Sequence, residues 1–133
     1  MAHYTMGMGC DRGVSIETLE AAVTQAFSQL SIRPEEVKKI ATIDKKSDEV
    51  ALLQLAKNHQ WTMEFYTAAQ LCVVEVPNPS AVVMKYMGTP TVAEAAALLA
   101  GAVTQECFVL EKLKFLGEDQ KNATVSIVKV EDE

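Results

Sequence analysis

Apolar and polar residues alternate along the first part of the chain in an order that predicts a strand followed by a helix. Residues 3–8 form a short apolar run typical of a strand, and a glycine-rich turn covers residues 7–13. Ser15 is a suitable N-cap, and a helix is predicted from it to about Ser31. Five apolar residues recur at helical spacing: Ile16, Leu19, Val23, Phe27 and Leu30. A strand, a glycine turn and a helix are the usual beginning of an α/β fold.

The next stretch predicts two strands joined by a helix. Residues 34–36 begin with a proline and predict a short helical turn, and residues 39–43 predict a mostly buried strand. Asp48 is the expected cap of a helix over residues 49–59, and a third strand is expected at residues 62–66. Because the order is strand, helix, strand, we expect the two strands to be parallel and joined by a crossover.

Prolines and glycines divide the following stretch into short helices. A helical turn is expected at residues 67–71. Residues 79–88 predict a helix that begins at the proline or the serine and ends at the glycine, a residue suited to a left-handed C-cap. Thr91 and Glu94 form the pattern of a capping box for an alanine-rich helix that extends to residue 100.

The last part of the chain changes from helical to β character. Residues 107–116 and 123–130 are rich in β-forming residues, and residues 117–122 between them predict the loop of a hairpin. Three polar residues interrupt the apolar ones in the second run: Thr124, Ser126 and Lys129. We therefore expect one face of this strand to be buried and the other wet, and the acidic tail at residues 131–133 to be frayed.

Composition and charge exclude several classes of protein. A length of 133 residues with 49% apolar residues suits one domain over residues 1–133. The net charge is −6 and the 12 basic residues are scattered, so a nucleic-acid partner is not expected. No apolar run approaches the ~20 residues that span a bilayer, and the N-terminus does not resemble a secretion signal. A cytoplasmic protein without membrane contact is expected.

Cysteine and histidine usage predicts no metal site built by the protein. Three cysteines without a CxxC pair and two histidines without ligand spacing indicate neither a disulfide framework nor a zinc site. Cys72 and Cys107 lie among apolar neighbours and are expected to be buried thiols. Five methionines are interpreted as core residues: Met6, Met8, Met63, Met84 and Met87.

The glycine-rich turn is the first candidate binding segment. Gly9 and Gly13 let backbone N–H groups approach a ligand, the next helix presents its positive end, and Arg12 adds a charge suited to a carboxylate or phosphate. Alternatively, the glycines only permit a tight turn and Arg12 is a solvated side chain. Cys10 at this helix start is a weaker candidate for a nucleophile, because the sequence offers it no histidine partner.

A second candidate segment follows the second predicted strand, at the edge where open α/β sheets bind ligands. Lys45 or Lys46 is suited to hold an acidic substrate, and Asp44 or Glu49 is suited to orient or deprotonate water. The alternative interpretation is structural. In that case Asp48 caps the helix, the glutamate complements its dipole, and the lysines are solvated.

Two loops in the second half are further candidates for a ligand wall. Prolines on both sides fix the backbone around Asn78, which projects a two-way hydrogen-bonding side chain beside Ser80. The same loop also suits a helix entrance with Asn78 as the cap. The segment around Thr89 carries the same ambiguity, since Glu94 is also explained by a capping box.

Four segments, taken in order, resemble the successive motifs of the CobE/CbiG C-terminal family of cobalamin biosynthesis. They read GMGCDRG (residues 7–13), ATIDKKSDE (41–49), EVPNPS (75–80) and GTPTVAEAA (88–96). The resemblance runs from about residue 5 to residue 130 and covers only the C-terminal part of CbiG. It implies a three-layer α/β/α sandwich with a mixed, mostly parallel sheet and a C-terminal β-hairpin.

The resemblance also implies a function. CbiG opens the δ-lactone of cobalt-precorrin-5A and releases acetaldehyde, so the expected ligand is a corrinoid, a tetrapyrrole with carboxylate arms around an apolar ring. Arg12, Lys45 and Lys46 would bind the carboxylates, Asp44 or Glu49 would be the base of a hydrolase, and cobalt would arrive only with the substrate. Two alternatives remain. The protein is a non-catalytic carrier of the intermediate, or it is an accessory subunit that binds another cobalamin-biosynthesis protein, for example one that resembles the N-terminal part of CbiG.

Overall fold

A computed structural model describes residues 2–131, so the predictions for Asp132 and Glu133 lie outside the described residues. Residues 2–131 form five strands and five α-helices, joined in places by short 3-10 turns at Pro34–Glu36, Asp44–Lys46 and Gln105–Cys107. In chain order the main elements are β1 (Ala2–Cys10), α1 (Ile16–Leu30), β2 (Val37–Ile43), α2 (Val50–His59), β3 (Thr62–Tyr66), α3 (Ala68–Cys72), α4 (Ala81–Met87), α5 (Ala93–Gly101), β4 (Phe108–Leu116) and β5 (Asn122–Glu131).

The strands form one mixed sheet in the order β3-β2-β1-β5-β4. β1, β2 and β3 are mutually parallel neighbours, whereas β5 is antiparallel to both β1 and β4. Four strands therefore run in one direction and β5 alone opposes them. This confirms the mostly parallel sheet and the C-terminal hairpin.

Helices cover both faces of the sheet and complete the three layers. α1 and α2 pack on one face, where large apolar side chains such as Leu19, Phe27 and Leu52 form the main core. α5 lies on the opposite face, against β1, β5 and β2, and its core is built largely from alanines. The α/β/α sandwich is confirmed.

The alanine-rich helix lies unusually close to the central strand. A Cβ placed on Gly7 would overlap the carbonyl oxygen of Ala93 and lie 2.6 Å from the nitrogen of Ala97. Only glycine allows this approach of helix to strand. The position of α5 over the sheet therefore depends on the first glycine of the glycine-rich segment.

Several local predictions were wrong, each for a tertiary reason. β1 continues to Cys10, so the turn is confined to residues 11–13. The wet face predicted for β5 is absent from its central part, where Ser126 and Val128 are fully buried because helices cover both faces of the sheet. Asp48 does not cap α2, because it pairs with Arg12 instead. The N-cap is Glu49, whose side chain makes no capping hydrogen bond to the start of α2.

The capping box at α5 is also absent. Val92 is the N-cap without a side-chain hydrogen bond, and Glu94 accepts hydrogen bonds from Asn78 instead of from its own helix start. Other caps were predicted correctly: Ser15 for α1, and Gly88 in the left-handed region for α4.

The predicted burial of sulfur-containing residues holds only in part. Met6 and Met8 are fully buried, but Met84 is exposed, because α4 buries none of its residues. Cys72 is exposed and Cys107 is partly exposed. No helix within residues 2–131 is both long enough and apolar enough to cross a membrane.

Candidate functional site

A cleft of about 170 Å³ opens at the carboxyl end of β1, and we call it the edge cleft. Its floor is Gly9 and Cys10, and its walls come from α4, the start of α5 and the start of β5. Most of the lining is apolar, including Val83, Met87 and Val92, and Lys112 of β4 adds an amine. The predicted ligand-binding edge of the sheet therefore contains a real, mainly apolar opening.

A larger polar groove of about 700 Å³ adjoins the edge cleft. Asn78, Ser80, Glu111, Lys112 and Lys114 line it together with the proline between the first two. Lys112 lines both openings, so a mainly apolar opening and a charged one lie side by side.

An extra residue in β4 creates the charged end. Leu110 and Leu113 both pack on the α1 side of the sheet, yet two residues separate them instead of one. The register with β5 shifts at this point, as a β-bulge requires. The bulge leaves Glu111 and Lys112 together in the polar groove on the α4 side.

Asn78 connects three elements at the groove. Its Nδ2 donates to Oε2 of Glu94 at 2.6 Å and to Oε1 of Glu111 at 3.2 Å, and its backbone N–H donates to Oε1 of Glu94 at 3.3 Å. Glu94 is fully buried, so these donors satisfy a carboxylate that water does not reach. Asn78 thus positions the proline loop against α5 and β4, whereas Ser80 caps α4.

Arg12 is engaged by the segment that follows β2. Its Nη1 donates to Asp48 at 2.7 Å and to Glu49 at 3.1 Å, and its Nη2 donates to the carbonyl of Lys45. The hydrogen bond from Arg12 holds the pKa of Asp48 below its usual value. The other carboxylate oxygen of Glu49 accepts from the N–H of Gly13 at 2.9 Å. These contacts join the first turn to the start of α2.

The predicted catalytic residues Asp44 and Glu49 do not meet at the cleft. Asp44 is exposed in the 3-10 turn, and Glu49 is 6% exposed with both oxygens accepting hydrogen bonds. Neither residue lines the edge cleft or the polar groove. Their roles as base remain predictions.

The remaining predicted residues take separate positions. Lys45 donates to the carbonyl of Met87 at 3.1 Å, and Lys46 is buried beneath the turn. Thr89 is fully buried and donates to the carbonyl of Thr91, which gives it a structural contact. Gly13 has φ of 75°, as a left-handed turn position requires.

The Cys10 thiol is not activated. Burial raises its pKa to about 12, and the positive charge of Lys46 opposes this increase only in part. At neutral pH the thiol stays protonated, so it serves as part of the cleft floor. Within residues 2–131, no three histidine, cysteine, aspartate or glutamate side chains cluster as metal ligands.

Sequence reasoning missed the residues that β4 and α4 contribute. Lys112, Val83 and Met87 line the cleft but belong to elements with no recognisable local motif. The available signal was the interrupted alternation between Leu110 and Leu113, which indicates a bulge.

Comparison with known proteins finds relatives from cobalamin biosynthesis. Residues 4–128 match the family described as the cobalamin synthesis G C-terminus. A cobalt-precorrin-5A hydrolase from Priestia megaterium is 32% identical over 92% of this chain, but the chain spans only 31% of that protein. Protein CobE from Sinorhizobium sp is 31% identical over 84% of this chain and 73% of its own length.

Solved structures share the fold. CobE, a protein from the cobalamin biosynthetic pathway, superposes with a TM-score of 0.82 at 29% identity, covering 98% of this chain and 96% of CobE. The cobalamin biosynthesis protein chiG from Agrobacterium tumefaciens gives 0.69 at 27% identity, with 97% and 99% covered. A cobalamin biosynthesis protein G homolog from Sulfolobus solfataricus gives 0.66 at 19% identity, covering 97% of this chain and 37% of the homolog, a likeness of fold alone.

Proposed function

Because this chain belongs to the cobalamin synthesis G C-terminus family, we propose that it binds a corrinoid intermediate of cobalamin biosynthesis across the edge cleft and the polar groove. The observation that carries this proposal is that Lys112 lines both openings, which places them next to each other. A corrinoid has an apolar ring edge and carboxylate arms. The edge cleft is apolar and suits the ring edge, and the polar groove carries lysines that suit the carboxylate arms.

Lys112 and Lys114 are suited to the carboxylate arms. Neither amine forms a hydrogen bond or an ion pair with any residue of the described range 2–131, so both are available to a ligand. Opposite charge at close range gives strong, directional hydrogen bonds. Glu111 shares the groove, but its Oε1 accepts from Asn78.

The size of the edge cleft favours partial enclosure of the ligand. Its volume of about 170 Å³ is below the roughly 300–1,000 Å³ of pockets that enclose a small ligand. A macrocycle would therefore insert one edge and leave the rest exposed. A further domain, such as the larger part of the hydrolase that this chain does not span, would cover the exposed side.

The positions of Asp44 and Glu49 favour binding over hydrolysis by this domain alone. A general base needs a free lone pair within hydrogen-bond reach of the reacting water. Both oxygens of Glu49 accept bonds from Arg12 and Gly13, and Asp44 lies outside the cleft. We therefore assign binding and presentation of the intermediate to this domain.

The test is to mix the purified protein with cobalt-precorrin-5A under anaerobic conditions and follow both the corrinoid absorption spectrum and acetaldehyde. We expect a shifted spectrum without acetaldehyde, and weaker binding by Lys112→Met. Lys38→Met is the matched control, because Lys38 is exposed at the opposite end of β2. An unchanged spectrum with the wild-type protein would overturn the proposal.

Hydrolysis of the δ-lactone is the second candidate, favoured by the 32% identity to the hydrolase from Priestia megaterium. In this case water attacks the lactone carbonyl with Asp44 or Glu49 as base, and loss of acetaldehyde follows. Acetaldehyde released at catalytic rates by the wild type, but not by Asp44→Asn or Glu49→Gln, would establish hydrolysis in place of binding alone.

A further inference from the structure

Lys46 is a buried cation without a partner. Its side chain is 4% exposed, and it forms no hydrogen bond or ion pair with any residue that the structure describes. Two lysines nearby in the sequence do have partners: Lys39 pairs with Glu64 at 3.2 Å, and Lys45 donates to a carbonyl. Buried charges are normally paired, since removing an ion from water is costly. An unpaired buried ammonium therefore indicates that its counterion comes from outside the chain.

The surroundings of Lys46 place it beside the edge cleft. Its charge acts on the thiol of Cys10 more strongly than that of any other residue, including the neighbouring Arg12. Lys45, the adjacent residue, is joined to Met87 by a hydrogen bond. Because Cys10 and Met87 both line the cleft, the 3-10 turn that carries Lys46 lies at its border.

The acidic residues near Lys46 are engaged elsewhere. Asp48 and Glu49 both accept from Arg12, and Glu49 also accepts from Gly13. Asp44 is exposed on the turn. The acids of this segment thus bind Arg12 directly. Asp48 also attracts the charge of Lys46, but the ammonium of Lys46 forms no hydrogen bond or ion pair with any described residue.

The amine of Lys46 remains reachable. Within the described residues, no side-chain nitrogen or oxygen is both sealed from solvent and without a hydrogen-bond partner. The unpartnered amine therefore keeps a narrow opening to solvent.

We propose that Lys46 forms a subsite for one carboxylate arm of the corrinoid, which enters past Cys10 while the ring edge lies in the edge cleft. This inference rests on the proposed function and adds a specificity to it. Of the two lysines in the turn, Lys46 and not Lys45 selects the ionised acid over an ester or amide at that arm.

The test compares two corrinoids with the same ring but different charge on the arms: cobyrinic acid, with free carboxylates, and its fully esterified methyl ester. Absorption titrations give the dissociation constant of each for the wild type, Lys46→Met and Lys38→Met. We expect Lys46→Met to weaken binding of the acid about 10-fold or more and to leave binding of the ester unchanged. Lys38→Met should affect neither.

Thermal unfolding without ligand supplies a second measurement. Replacing an unpaired buried ammonium by methionine should leave the melting temperature unchanged or raise it. A structural ion pair would have the opposite signature, with a lower melting temperature and unchanged affinity. That result, or equal affinity of the wild type and Lys46→Met for the acid, would overturn the inference.

The design separates this inference from the proposal on which it rests. If the wild type binds neither corrinoid, the proposed function fails and the subsite fails with it. If the wild type binds the acid and Lys46→Met binds it equally, only the subsite fails. Should Lys46→Met not fold, NMR of the lysine amines in the wild type decides: the Lys46 signal must move with the acid and not with the ester.

Discussion

The two faces of the sheet are built from different kinds of residues. On the α1 and α2 face, large side chains including Leu19, Phe27 and Leu52 fill the space between helices and sheet. On the α5 face, glycine and alanine bring helix and strand into close contact, and α4 buries none of its residues. α4 also presents exposed apolar side chains such as Val82 and Tyr86.

The two faces therefore differ in what they contribute: one mainly stabilises the fold, and the other contains the opening that we propose as a binding site. Large interlocking side chains fill the interior of the first face, so these side chains contribute mainly to folding. A face on which a short, weakly packed helix lies beside a close-packed one keeps an opening between them. The edge cleft lies at this junction, between α4 and the start of α5.

Gly7→Val should have the largest effect on stability, because it disrupts the close contact between β1 and α5. The new side chain would overlap the backbone of α5 at Ala93 and Ala97. We expect the free energy of unfolding to fall by more than about 4 kcal/mol, measured by urea denaturation. Gly13→Ala is the control: its Cβ meets no atom within 4 Å, so only its positive φ costs stability, about 1 kcal/mol.

Leu52→Ala and Val82→Ala compare the two faces directly. Leu52 is fully buried in the main core, so its truncation should cost about 3 kcal/mol in the free energy of unfolding. Val82 is 67% exposed on α4, and its truncation should stay within about 0.5 kcal/mol. A similar loss for both variants would mean that α4 is packed as tightly as α2.

Asn78→Ala tests whether one polar residue stabilises the α5 face of the sheet. Without Asn78, the buried carboxylate of Glu94 loses all the side-chain donation it receives and part of the loop geometry. We expect a loss of about 2 kcal/mol in denaturant unfolding. In a Glu94→Gln background the loss should be smaller, because a neutral amide is less costly to leave unpaired. Additive losses would contradict the coupling.

Asp119→Asn should have the smallest effect, and the loss of stability should shrink as the pH falls. Burial alone would raise the pKa of Asp119, but hydrogen bonds from Ser15, Thr18 and Lys121 lower it to about 2. A lowered folded pKa means that the carboxylate stabilises the protein above its ordinary value of 3.8 and that this contribution is lost as pH falls toward 2.

The variant should therefore flatten the dependence of stability on pH between about 4 and 2, measured by urea denaturation at several pH values. Glu118→Gln, at an exposed neighbouring position, should leave the slope as in the wild type. An equal dependence of stability on pH in the wild type and Asp119→Asn would show that the hydrogen bonds from the start of α1 to Asp119 do not stabilise the protein.

Much of the fold was predictable because its elements follow local rules. Helical spacing and the serine cap predicted α1 within a residue, and the left-handed glycine predicted the end of α4. Strand, helix, strand order predicted the parallel pairing of β2 and β3. The order of four short motifs predicted the family, which the match over residues 4–128 confirms.

The candidate site was less predictable because its residues have competing partners. Asp48 and Glu94 both have the sequence pattern of caps, yet distant Arg12 and Asn78 bind them in the folded chain. Lys45 and Lys46 are equivalent as a pattern, but one reaches a carbonyl on α4 and the other is buried beside Cys10.

Periodicity, caps and turns are properties of neighbouring residues, so the sequence by itself determined the elements, their order and the family. The cleft depends on contacts between residues far apart in the chain: the bulge that presents Lys112, the bare backbone of Gly7 beneath α5, and the acids that neutralise Arg12. Only the tertiary structure decided which charges are paired within the protein and which, as at Lys46, form no hydrogen bond or ion pair with the described residues.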